Sequence, residues 1–119
     1  VDIAFECYKQ ALLLFESIDN QQGKVNALAG LGNSLKLNKK WQDAIEYFNA
    51  AIIVIKTSGK SPFMLSSIYA ELARCHHALR HYDLRDQMLR DAKVCALNSE
   101  GVGRLSLLVI GSVEAEIKL

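Results

Sequence analysis

Apolar side chains return every three or four positions along almost all of this 119-residue chain, the spacing that gathers them on one side of an α-helix. Leu28, Leu31 and Leu35 make one such stripe, and Ala44, Phe48 and Ala51 make another. The period-two alternation of a half-buried strand is nearly absent and there is one proline, so the expectation is an all-α chain. The breaks between stripes fall at residues suited to helix ends. Asp19-Asn20 is placed to cap a helix starting near Gln21. Gly59-Lys60-Ser61-Pro62 closes one helix and opens the next, with Ser61 as N-cap and Pro62 at the first helical position. Asn98-Ser99-Glu100-Gly101 is a third break, and the stripes change phase near Asn38-Lys39 and His81. Six helices are predicted, roughly over 2–18, 21–37, 41–57, 62–79, 83–97 and 103–118.

The pattern repeats itself. Ala4, Tyr8 and Ala11 recur 40 positions later as Ala44, Phe48 and Ala51, and AFECYKQALLLFESI aligns with AIEYFNAAIIVIKTS without a gap. Self-similarity at a period of tens of residues predicts stacked helical repeats. Such an architecture builds surfaces, so function is expected in what its groove holds.

The second and third predicted helices carry Leu28-x2-Leu31-Gly32-x2-Leu35 and then Trp41-x2-Ala44-x3-Phe48-x2-Ala51. This resembles the tetratricopeptide repeat, an A helix with L-G and a large residue followed by a B helix with A-x3-F. Gly32, Ala44 and Ala51 are small where antiparallel helices must approach, while Leu28, Leu31, Leu35 and Phe48 fill the space around them. The period of about 40 exceeds the family's usual 34, because Ile52, Ile53, Val54 and Ile55 extend the B helix. It is similar to the long-repeat members of the family, such as rapsyn, the kinesin light chains and the Pins-type spindle adaptors. The resemblance implies a right-handed α-solenoid of antiparallel helix pairs in a single domain over 1–119: a B helix at 1–20, repeats at 21–59 and 61–98, and a further A helix at 99–119. A start on a B helix and an end on an A helix read as an excerpt of a longer solenoid. Leu12, Leu14 and Phe15 at one end, and Leu107 to Ile110 at the other, are too apolar for capping faces. Self-association through these end helices is therefore expected. In the next unit His76 and Arg85 take the places of Leu35 and Ala44. The expectation there is a rotated fifth helix with Leu84, Met88, Ala92 and Cys95 on the core and Arg85 snorkelling outward.

The family's concave-groove positions, carried over residue by residue, are Asn26, Ala29, Asn33, Lys36 and Lys40 on the second helix and Ser67, Ala70, Glu71, Arg74, His77 and His81 on the fourth. On the sixth they are Leu105, Leu108, Ser112 and Ala115. Asn33, Lys36, Arg74 and His77 would make that groove rich in donors, suited to a peptide backbone or an acidic side chain, with Asn26, Lys40, Glu71 and His81 in support. The bland reading is that these residues are the solvated side of amphipathic helices. The subclass that clamps a C-terminal EEVD tail is disfavoured, because Ala29 stands where a Lys is wanted and Leu105 and Leu108 stand where cations are wanted.

Composition narrows this further. Half the residues are apolar and 23% are charged, as in ordinary globular chains, and the net charge of +1 gives no global field for nucleic acid. The apolar run from Leu105 to Val113 is far short of the ~20 residues of a membrane-spanning helix, so no membrane insertion is expected. No secretory leader pattern is present, and Cys7, Cys75 and Cys95 read as buried free thiols in a reducing, cytoplasmic setting. Cys75, His76, His77 and His81 invite a metal, since His77 and His81 are four apart, but the third and fourth ligands of a zinc site are missing. Packing and groove polarity explain them better. No oxyanion site accompanies a Cys–His pair, and Gly30, Gly32 and Gly111 read as close-packing helical glycines rather than a phosphate loop. The run Asp83, Arg85, Asp86, Arg90, Asp91 and Lys93 reads as a solvated, salt-bridged face. No cofactor and no enzymatic activity are expected. The function expected is a non-catalytic scaffold or adaptor that holds a partner's peptide. An RNA-binding helical-repeat module is the alternative, drawing on Lys36, Lys39, Lys40, Arg74, Arg80 and His81 with Trp41 and Tyr82.

Overall fold

The structure, a computed structural model, describes residues 3–97 and 103–118, with side chains at 3–97 and 110–117. Among these the regular structure is all-helical: α1 (Ile3–Ser17), α2 (Gln21–Leu37), α3 (Trp41–Ser58), a 3₁₀ turn (Pro62–Met64), α4 (Leu65–Ala78), α5 (Tyr82–Leu97) and α6 (Gly103–Lys118). Within each of two compact parts of the chain, neighbouring helices pack against each other, α1 and α3 on α2, and α5 and α6 on α4. The break over 98–101 and the side chains of Leu105, Leu107 and Leu108 lie outside the described residues. The chain forms two compact units, Val1–Pro62 and Phe63–Leu119.

In the first unit α2 packs against both α1 and α3. Three aromatic rings lie where glycine leaves out a side chain. A Cβ at Gly30 would stand 2.4 Å from the Tyr8 ring, one at Gly23 2.3 Å from Phe15, and one at Gly32 2.8 Å from Phe48. Tyr8 and Phe15 are two turns apart on α1, Gly30 and Gly23 two turns apart on α2 in the opposite order, so the contacts fix the antiparallel register. Phe15 is thus packed rather than part of an open end face; the most exposed apolar residues of α1 and the turn after it are Ile3, Leu13, Leu14 and Ile18. Leu31, Ala44, Phe48, Ala51 and Ile55 are almost wholly buried.

The turns are one device used three times. Asp19, Lys39 and Arg80 take φ of 54°, 60° and 63°, and each sits one residue past a helix C-cap. The following amide bonds back to the helix (Asn20 to Phe15, Lys40 to Leu35, His81 to His76, at 2.8–2.9 Å). The carbonyl of that same residue then accepts the first bond of the next helix, from Lys24, Ala44 and Arg85. Asn20 also caps α2 through its side chain, which accepts from Gly23 N at 2.8 Å. Gly59 ends α3 with φ 72°, as its position suggests. Ser61 does not cap α4. Its own φ is 56°, its buried hydroxyl finds no partner, and a 3₁₀ turn comes before the helix, whose cap position is Met64.

In the second unit α4 packs against α5, and α6 packs against both. Ile68, Leu72, Ala73, Cys75, Ala92, Ala96, Ile110 and Val113 are buried. Ile110 is therefore core rather than an open end. Gly111 is exposed and a Cβ there would meet nothing within 4 Å, so it serves no close packing. Cys7 is exposed and Cys95 half-buried, leaving Cys75 as the buried thiol.

Candidate peptide-binding surfaces

Ten of the 17 residues of α2 are buried, because α1 and α3 cover two of its sides. One strip stays open. Asn26 and Asn33 lie on it two turns apart, both exposed, and among the described residues neither side-chain amide has a hydrogen-bond partner. Lys36 is half-buried and engaged within the protein, Lys40 is exposed at the N-cap position of α3, and Ala29 is buried. The strip offers what a peptide backbone needs: side-chain amides that both donate and accept.

On α4 the candidates are already occupied. The Arg74 guanidinium meets Glu71 at 2.7 Å and Glu116 of α6 at 2.8 Å, at one-quarter exposure. Two carboxylates neutralise it and fix its direction. Nδ1 of His77 lies 3.1 Å from Nη1 of Arg85. A guanidinium only donates, so His77 is the acceptor of this contact at Nδ1. Arg85 also lies over the Tyr82 ring, 4.9 Å from its centroid, and bonds Asp86 at 2.9 Å. The rotation expected of α5 is found only in part: Ala92 is buried and Met88 and Cys95 are half-buried, but Leu84 is 48% exposed and Arg85 turns inward to His77. This Arg85–His77–Tyr82 group escapes sequence reasoning, since its partners sit on different helices.

His81 does not share a helix face with His77. It lies beyond the end of α4, and its Nδ1 is 3.3 Å from Nδ1 of His76. Burial, and then the neighbouring His81 charge, lower the pKa of His76 below its ordinary value. Cys75 is buried within α4, and no group of three potential metal ligands is gathered among the described residues. Of the α6 candidates, Ser112 and Ala115 are exposed, and Leu105 and Leu108 lie outside the described side chains. The charged face of α5 is salt-bridged in part, with Lys93 bonded to Glu114 of α6 at 3.1 Å. Among the described residues no helix is long and apolar enough to cross a membrane. Comparison with protein-family models, with curated proteins and with solved structures finds no match.

Proposed function

We propose that this chain is a non-catalytic interaction segment of tetratricopeptide type, a scaffold that holds a peptide of a cytoplasmic partner along the open strip of α2. The observation that carries the reading is the unpartnered pair Asn26 and Asn33, set two turns apart on a helix otherwise enclosed by its neighbours. A helix held on two sides presents its third rigidly, so amides on it are pre-organised and lose little entropy on binding. Lys36 and Lys40 add positive charge at the C-terminal end of the strip and favour acidic residues in the peptide. Glu71, Arg74 and His77 on α4, with His81 in the turn after it, are second-rank candidates, because a ligand there must compete with intramolecular partners.

Asn26→Ala combined with Asn33→Ala tests the reading cleanly. Alanine is the better helix former at exposed positions, so the variant should fold as well as the parent or better. Two lost hydrogen bonds of about 1 kcal/mol each should weaken a captured partner about 30-fold. Immobilised parent and variant are incubated with cell extract, with circular dichroism as the folding control and mass spectrometry of what is retained. A protein lost only from the variant supports the proposal. Identical retained sets would contradict it.

A further inference from the structure

A recess of about 350 Å³ lies within the first unit, lined by Phe5 of α1, Leu28 and Leu35 of α2, and Asp43, Glu46, Tyr47 and Ala50 of α3. We propose that it receives a lysine or arginine side chain of a partner peptide, as a docking point separate from the α2 strip. Leu28 and Leu35 are 7% and 8% exposed and form the floor, with Phe5 and Tyr47 half-buried beside them. Asp43 and Glu46 stand exposed at the rim, one turn apart. No ion pair among the described residues engages either carboxylate. Lys9 lies over the Phe5 ring, 5.6 Å from its centroid, and not on a rim carboxylate.

An apolar floor and an unneutralised acidic rim are complementary to one kind of group, a cation on an apolar stem. The stem covers the leucines while the charge meets the carboxylates, a contact that is stronger where water is thinned. A neutral apolar ligand would gain the floor and leave the rim unused; an anion would be repelled. The volume is at the lower end of the ~300–1,000 Å³ of small-ligand sites, enough for one long side chain with part of its backbone. Leu28 lies about 140° from Asn33 around the α2 axis, at ~100° per residue, so the two surfaces are separate.

Fluorescence anisotropy with a fluorescein-labelled peptide of alternating leucine and lysine, beside its glutamate-for-lysine counterpart, decides the matter. The isosteric change Asp43→Asn with Glu46→Gln alters only exposed groups and keeps the fold, which circular dichroism verifies. The lysine peptide should bind the parent at least tenfold more tightly than it binds this variant, and more tightly than the glutamate peptide binds the parent. n-Butylammonium should displace it and n-butanol should not, and added salt should weaken it. The Asn26→Ala, Asn33→Ala variant should bind it as the parent does, which separates this site from the α2 strip. Equal binding of both peptides, no effect of the rim variant, displacement by n-butanol, no binding at millimolar peptide, or loss in the asparagine variant would each overturn the proposal. So would a parent dimer that the rim variant abolishes, since that would put a second copy on the recess.

Discussion

Gly30 and Gly32 sit on one helix two residues apart and face different neighbours. An added Cβ would be nearer the ring at Gly30 than at Gly32, 2.4 against 2.8 Å, yet the cost should run the other way. Tyr8 is 39% exposed and can swing aside, and alanine gains helix propensity, so Gly30→Ala should change stability by less than about 1 kcal/mol. Phe48 is 1% exposed and has nowhere to go, so Gly32→Ala should cost about 1–3 kcal/mol. Urea melts of the two variants check this ordering; equal costs would mean that the rings adapt alike. Gly30 and Gly32 are legible in the sequence as close-packing glycines, but the same reading fails at Gly111, where an added Cβ would meet nothing within 4 Å. What covers each of the two is not legible, since Tyr8, Phe15 and Phe48 look alike as stripe residues. Arg85 marks the limit more sharply. In a slot suited to alanine it can be accommodated by turning α5 or by finding an acceptor, and only His77, on another helix, decides between them.

Helix ends show the same division. Asn20 and Gly59 act as their types suggest, but the three left-handed turn residues are Asp, Lys and Arg, so the common turn is written in backbone geometry and hardly in sequence. At the last of these turns His76 and His81 face each other at 3.3 Å. His76 prefers its neutral form in the folded state, so the unfolded chain binds the extra proton. Stability from this group is present above about pH 6.5 and lost as pH falls from there through the lowered folded value. Chemical denaturation of the second unit should show a fall between pH 7.5 and 5 that His76→Gln reduces; an unchanged slope would contradict this. Arg74 ties α4 to α6 through Glu116, and Arg74→Ala should cost about 1 kcal/mol, as expected for a partly exposed ion-pair network. Amide exchange in α6 should quicken while that in α2 stays unchanged. Similar exchange in α6 would show the ion pairs to be incidental.

At the scale of the molecule, periodicity and break residues make the six helices readable, because hydrophobic burial of one stripe and the needs of helix ends are both local. Binding surfaces are harder to read. Asn33 and Arg74 occupy comparable places in the repeat pattern, and the sequence weighs them equally as donors. The fold separates them: carboxylates of α4 and α6 take up Arg74, while Asn33 keeps its amide open beside Asn26. The rim of the recess is likewise invisible beforehand, since Asp43 and Glu46 look like any exposed acids until Phe5 is brought beside them. The most direct measurement is photo-crosslinking of a captured partner from p-benzoylphenylalanine placed at position 26, 33 or, as a control, 13, where Leu13 is 60% exposed on α1. If the open strip of α2 is the peptide-binding surface, the partner is joined at 26 and 33 and not at 13. Joining at 13 alone would move recognition off that strip and contradict the proposed function.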